Sequence, residues 1–561
     1  MSNGGRKRSR NSRVVSIELP PSPLGRAWLQ LRRGDVLLRL ALCAFAAILM
    51  WGVTQAWAPP FVYRTGDVPP TDIVAIEPAP EMALGSMDEE TAAEFARHRL
   101  LLAKASEPLQ TETVAALRLD HLQMASRLPA SRKVVRSLVV FGVIFGMFGL
   151  CGWYIYHRDR RLLRDLRRFG TLLVLVVVTA ATASWFWADP WRAEIIPILF
   201  FGMTCGIAYS RELALLLSAT LLIFLGLTSG YSLGHFVVLF SSVVTAILLL
   251  DQIRSRSKLI KVGFFTGLEV FLLTVGVDIL ESHTLDRSLL AIAAWNGVWA
   301  FLAGFLVTGM LPFIESIFGV LTEISLLELG DASHPLLQEL VRRAPGTYNH
   351  SINVASIAEA AAESIGAKRL LVRVGAYFHD IGKMLKPGYF VENQGSEANR
   401  HDSLVPAMST LIIIAHVKDG ADLARQHHVP EPIIDFIEQH HGTTLVEYFY
   451  RRANQQCEAH PEAGSVQESA YRYPGPKPQT REAAVLMLAD AVESASRALV
   501  EPTPARIESL VEEIAMKRLL DGQFDECGLT LKQLRLVEDS LIKSLTAVYH
   551  GRVKYPDQRT A

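Results

Sequence analysis

The sequence predicts an all-α protein in which a multi-span helical membrane region is followed by a second, all-helical region rich in histidine. Three observations point to this. Mean hydropathy over the 561 residues is +0.24, high for a water-soluble chain, and the apolar excess lies almost wholly before residue 316. That part divides into apolar runs near the ~20 residues with which a helix crosses a ~30 Å hydrocarbon core. From Gly346 onward alanine-rich, helix-spaced runs continue almost unbroken, and Arg342 to Lys386 sets His350 in one predicted helix and the pair His379–Asp380 at the end of the next.

Residues 1–35 hold Arg6, Lys7, Arg8, Arg10 and Arg13 with no acid before Glu18, a solvated basic tail suited to the inner membrane surface. The first apolar run, 36–57, ends in Ala56-Trp57-Ala58, which resembles a signal-peptidase site. The long basic region before it and Pro59-Pro60 behind it favour an uncleaved anchor. Residues 58–134 form a short extracytoplasmic segment, an extended proline-marked start followed by a small helical hairpin that Ser86-Met87-Asp88-Glu89 would cap. Its histidines, His98 and His121, read as surface residues.

The membrane region proper, 135–316, reads as seven further spans near 137–156, 170–188, 194–209, 213–229, 233–250, 262–280 and 289–316, the third and fourth short. Six arginines fall in the loop 157–168, and two arginines with two lysines in 251–261. The alternate loops 189–193, 230–232 and 281–288 carry almost no cation. The basic loops therefore belong on the cytoplasmic side. Eight crossings from an inside N-terminus leave the C-terminal third on the same side, which agrees. Glu269 and Asp278 are the clearest acids within apolar runs and mark a ligand or proton site by default. No broken-helix repeat supports transport.

A linker helix is expected over 317–342, followed by the C-terminal helical region, 343–555. Equal numbers of acidic and basic residues, 56 each, give no electrostatic case for nucleic acid. Five scattered cysteines without CxxC spacing argue against disulfides and a zinc–cysteine site. The candidate metal ligands are His350, His379, Asp380, His416, His440, His441 and Asp490. Asp490 lies in an apolar helical run, as do His379–Asp380 and His416, where a polar group needs a partner. One such histidine is most often a hydrogen-bonded core residue, whereas seven such groups together favour metal. Imidazoles and carboxylates suit transition ions better than Mg or Ca. Seven ligands fit two ions with one bridging carboxylate, an arrangement suited to phosphodiester hydrolysis.

His379-Asp380-Ile381-Gly382-Lys383 resembles the signature of the HD-domain metal-dependent phosphohydrolases. With GTYNHS (346–351), VGAYFHDIGKM (374–384), AHVKDG (415–420), EQHHGT (438–443), RYPGPKPQT (472–480) and MLADAVESASR (487–497), the chain resembles more closely the bacterial seven-transmembrane HD receptors, whose characterised members hydrolyse cyclic di-AMP. The resemblance implies a cytoplasmic HD phosphohydrolase domain over 343–555 on a multi-pass protein of the bacterial inner membrane. It assigns His350, His379 and Asp490 to one ion and His416, His440 and His441 to the other, with Asp380 bridging. The ions would be divalent transition metals, manganese or iron, and hydrolysis would open the ring to 5′-pApA. Asp380 and Lys383 would serve catalysis, Lys383 by neutralising phosphate charge. Lys383, Glu392, Asn393 and Lys477 would contact the cyclic dinucleotide, and His401-Asp402 reads as a substrate contact or a helix cap.

Family members usually carry a larger domain between the first two spans, so the short segment here points to control through the membrane helices, a regulatory membrane partner or a homodimer. Alternatives are a non-catalytic nucleotide-sensing receptor, for which ligand loss would be expected, and an HD enzyme acting on another nucleotide. Cyclic di-GMP hydrolases of the class would need Gly-Tyr-Pro after the histidine pair, where this chain has Gly442-Thr443-Thr444-Leu445. Triphosphate and alarmone hydrolases of the class use a smaller, single-metal set.

Overall fold

The computed structural model describes residues 34–550 except 70, 75–100, 106, 188–192, 251–252, 282–284, 286, 395–398 and 460–465. The described chain is helical throughout apart from one two-stranded ribbon and a few 3₁₀ turns. It divides into two compact units, one running through Asp251 and then Ser257–Val320, the other Gln252–Arg256 and Leu321 onward.

In the first unit, α1 (Gly34–Val53) precedes a short antiparallel ribbon, β1 (Ile73–Val74) with β2 (Leu101–Ala103), and α2 (Thr111–Arg127). The expected hairpin of helices is thus, among the described residues, one helix and a ribbon. The Ser86–Glu89 cap and His98 lie outside the described residues. His121 is half-buried rather than on the surface, its ring 5.5 Å from that of Phe61.

The remaining apolar helices are α3 (Ala130–Arg158), α5 (Leu166–Trp187) after the short basic α4 (Arg160–Arg164), α6 (Ile195–Ala208), α7 (Arg211–Ser229), α8 (Leu233–Leu249), α9 (Arg256–Leu280) and α10 (Arg287–Phe318). With α1, six are long and apolar enough to cross a membrane, while α6 and α8 have 14 and 17 residues. At 1.5 Å per residue α6 spans only about 21 Å. Its length need not match the bilayer, because α5, α7, α8 and α10 pack around it and bury nine of its residues, among them Phe201, Met203 and Cys205. Ser210 and Ser232 cap α7 and α8 by accepting from Leu213 and His235 amides, so the tight turns between these spans leave few unpaired backbone groups. Helices α9 and α10 approach backbone to backbone at Gly263, Gly267, Gly297 and Gly304, a small-residue contact typical of membrane packing. Glu269 and Asp278 do share α9, but nine residues turn a helix through about two and a half turns and set them on opposite faces, so they form no paired site.

The second unit opens with two helices where one linker helix is expected, α11 (Glu323–Leu329) and α12 (Pro335–Arg343). Asp331 accepts from the Ser333 amide at 2.7 Å, and Pro335 restarts the helix at a position where no amide donor is needed. The central helix, α13 (Pro345–Ser364), packs on α12, α14 (Arg369–Phe378), α18 (Arg481–Ser496) and α20 (Leu531–His550). Small residues on α13, including Ala355, Ala358, Ala361 and Ala362, let these helices close in, and Val485, Leu488 and Val492 of α18 fill the opposite side. A second apolar cluster joins Leu336, Leu337 and Leu340 of α12 to Phe378, Ile381, Ile433 and Ile437. The unit also contains α15 (Pro406–Gln426) and α16 (Glu431–Gln439), which contribute to the second cluster, α17 (Glu447–Ala459), and α19 (Pro504–Leu520), which contributes to the first. Both clusters surround the segment that carries His379 and Asp380.

Candidate metal centre

All seven predicted ligands converge in the second unit. His350 comes from α13, His379 and Asp380 from the C-terminal end of α14, and His416 from α15. His440 and His441 follow α16, and Asp490 sits on α18. Three overlapping groups each have ligand atoms within 4.8 Å of one another: His350/His379/Asp490, His379/Asp380/His440 and His416/His440/His441. Asp380 is 1% exposed and faces both ends of the cluster. Its Oδ2 lies 3.2 Å from His379 Nε2 and 3.6 Å from His350 Nε2, while Oδ1 lies 3.3 Å from His416 Nε2 and 3.6 Å from His440 Nε2.

The far nitrogens are already committed. His379 Nδ1 donates to the Ala376 carbonyl at 2.7 Å, His416 Nδ1 to Ile413 at 2.5 Å, and His440 Nδ1 to Ile437 at 2.8 Å. His350 Nδ1 sits 2.6 Å from Glu493 Oε2. Fixing the proton on Nδ1 turns each Nε2 lone pair toward the centre, as metal-binding histidines require. His379 Nε2 and Asp380 Oδ1 are buried without a hydrogen-bond partner, an expensive arrangement that a cation would resolve. The donor set therefore fits divalent transition ions.

Without an ion the electrostatics differ along the cluster. Burial holds His416 neutral, lowering its pKa to about 3. Burial also disfavours protonation of His379, but Asp380 and Asp490 outweigh it and raise that group to about 10. For Asp380 the desolvation cost is overcome by His379 and Lys383, which keep its carboxyl well below the usual range.

Lys383 is not a surface lysine. Its Nζ lies 2.6 Å from Asp380 Oδ2 and donates to Glu392 Oε1 at 3.0 Å. Glu392 also accepts from Thr347 Oγ1 at 3.1 Å, and Asn393 Oδ1 from the Thr347 amide at 3.2 Å. These contacts tie the 3₁₀ turns after Asp380 back onto α13. Gly346 permits the approach, since a Cβ there would lie 2.6 Å from the Glu392 carbonyl carbon. Lys477 donates to the Gly522 carbonyl at 2.9 Å and pins the 472–480 loop to the turn after α19. His401 is buried, donates from Nε2 to the Tyr389 carbonyl at 2.8 Å and packs on Phe449, while Asn399 supplies the local cap.

Two site residues escape the sequence reading. Glu493, one turn beyond Asp490, accepts from His350 and from Arg497, and its i+3 spacing from Asp490 is the available signal. Tyr473 lies against His441 with ring centroids 4.3 Å apart, at the one imidazole with substantial exposure, 21%. Glu493→Gln is expected to weaken metal binding about 10–100-fold, as loss of such an outer partner does elsewhere. Competitive titration of the full chain with a chromogenic chelator measures this, and unchanged affinity would assign Glu493 to packing alone.

An all-helical unit that gathers five imidazoles and two carboxylates around a His-Asp pair defines the class of HD-domain hydrolases. The family described as HD domain matches residues 347–495, and the family described as 7TM receptor with intracellular HD hydrolase matches 135–322. The two matches follow one another along the chain, a seven-transmembrane region and then an HD domain. Similar proteins include the cyclic-di-AMP phosphodiesterase PgpH of Listeria monocytogenes, 44% identical over 59% of this chain and 45% of that protein. PgpH of Bacillus subtilis is 34% identical over 74% of this chain and 59% of that protein. The chain thus spans about half the length of these relatives. A crystal structure of the L. monocytogenes PgpH HD domain with cyclic-di-AMP is 50% identical, covering 39% of this chain and all of that one, with a TM-score of 0.37.

Proposed function

We propose that the protein is a membrane-anchored phosphodiesterase that hydrolyses cyclic di-AMP to 5′-pApA. The observation that carries this reading is Asp380, whose two oxygens face two separate sets of histidines. His350, His379 and Asp490 would hold one divalent ion, manganese or iron, and His416, His440 and His441 the other, with Asp380 between them. When bound, such a pair supplies Lewis acidity and water ionised near neutral pH. The names of the curated relatives support the choice of substrate.

The chain's own groups have distinct tasks. Lys383 keeps Asp380 ionised and oriented, and its charge beside the centre would neutralise phosphate charge. Glu392 holds Lys383 in place, and Glu392, Asn393 and Lys477 line the approach of the cyclic dinucleotide. Tyr473 is buried with its ring against His441 and so holds that imidazole in place. The positive-inside rule supports placing the catalytic unit in the cytoplasm, with the protein in the bacterial inner membrane. Control would enter through the membrane helices, from a partner there or from a second copy of the chain.

Full-length protein loaded with Mn²⁺ in detergent should turn over cyclic di-AMP in preference to cyclic di-GMP, yield 5′-pApA by chromatography, and stop on chelation. A folded, metal-loaded chain that hydrolyses neither would contradict the assignment and favour a nucleotide-sensing receptor.

A further inference from the structure

A cavity of about 580 Å³ lies between α3 and α7 in the membrane unit. Arg132 and Arg136 stand at its mouth, and Val139, Val143, Phe224 and Leu227 line its walls. From Arg132 to Val143 the helix rises about 16 Å, half of a ~30 Å hydrocarbon core. Aromatic side chains fix the level of the mouth. Trp51 donates from its indole to Ser137 Oγ at 3.0 Å, and Trp57 packs against Trp51 with centroids 4.9 Å apart, a pairing found at membrane–water interfaces. Phe224 also lines a narrower apolar crevice of about 30 Å³ bounded by Met147, Cys151 and Leu221, which extends the same path inward.

The charge at this mouth runs against the rest of the membrane unit. The basic loops 157–168 and 251–261 lie at the other end of the spans, and at this end the short loops 189–193, 230–232 and 281–288 are nearly free of cations, which are concentrated in the segment before α3 and in its first turns. Here α3 begins with Arg132, Lys133 and Arg136 and contains no acidic residue. Lys133 donates to the Ser126 carbonyl and Arg136 Nε to the Ala56 carbonyl at 2.9 Å. Arg132 makes no hydrogen bond or ion pair among the described residues and is exposed. Free positive charge above an apolar slot one leaflet deep matches one ligand chemistry, a phosphate ester on acyl chains.

We propose that this groove binds an anionic phospholipid of the leaflet opposite the basic loops, its headgroup phosphate on Arg132 and Arg136 and an acyl chain along Val139, Val143 and Phe224. The site belongs to the membrane unit and is independent of the proposed chemistry at the metal centre.

The test uses the full chain in nanodiscs of mixed phosphatidylglycerol and phosphatidylcholine, with retained lipid counted by native mass spectrometry after detergent release. The wild type should keep phosphatidylglycerol in preference to phosphatidylcholine. Arg132→Gln, which breaks no contact, should lower its retention about fivefold, the effect of one arginine near an anionic surface. Val143→Trp, which fills the slot, should remove it, and millimolar inorganic phosphate should not displace it. Equal retention of both lipids by the wild type, or unchanged retention in both variants, would overturn the proposal. Displacement by phosphate alone would replace the lipid with a bare anion.

Discussion

Asp380→Asn should lower turnover of cyclic di-AMP by at least about 10²–10³-fold, the scale on which loss of one preorganised electrostatic group acts. The substitution keeps the volume of the side chain but exchanges one oxygen for an NH₂ that cannot accept. Oδ1 and Oδ2 face His416/His440 and His379/His350 respectively, so one of the two ion positions loses its Asp380 oxygen whichever way the amide turns. The same change leaves Lys383 with Glu392 as its remaining acidic partner. Circular dichroism should show an unchanged helical fold, because the atoms lost face the centre and not the core. Steady-state kinetics with comparable helicity in both proteins checks the expectation, and wild-type turnover would remove Asp380 from the chemistry.

Gly382→Ala is expected to cost much of the stability near the centre. A Cβ at this position would overlap the His416 carbonyl oxygen and lie 2.6 Å from the Gly420 amide nitrogen. Both obstacles are backbone, so neither can move aside by changing rotamer. The 3₁₀ turn Ile381–Leu385 and α15 would have to separate, at a cost of about 3 kcal/mol, the upper end of overpacking penalties. His416 and Asp380 would move apart with them, so metal affinity should fall together with stability. Thermal melts with and without Mn²⁺ measure both. A variant as stable as the wild type would mean that the turn and α15 are less tightly coupled than their spacing implies.

Of the candidate ligands, Asp490, His379–Asp380 and His416 were legible because each interrupts an apolar helical run, and a buried polar group needs a partner. Asp490 on α18 illustrates this: its neighbour Leu488 is fully packed, leaving the site as the place where such a group finds partners. The eight apolar helices were legible for the same reason of composition, although hydropathy cannot tell a helix facing lipid from one enclosed by others, which is why α6 reads as a span despite its length. The turns over 381–393 and Arg400–Ser403 carry no periodicity, and their form depends on distant contacts, among them Thr347 to Glu392 and His401 to Tyr389. Lys383 was ambiguous on sequence, because a lysine one turn past a helix end is usually solvated. Only the fold brings Asp380 and Glu392 to it. Glu493 stayed hidden because acids in amphipathic helices are common, and its partner lies 143 residues away.

The most direct measurement of the central claim is the number of divalent ions per chain at full activity. Apo protein would be titrated with Mn²⁺, with bound metal measured by elemental analysis and hydrolysis of cyclic di-AMP measured on the same samples. Activity that rises with the second equivalent and saturates at two ions per chain is the predicted result. Full activity at one ion per chain, or two ions retained in Asp380→Asn at wild-type affinity, would contradict a pair of metals joined through Asp380.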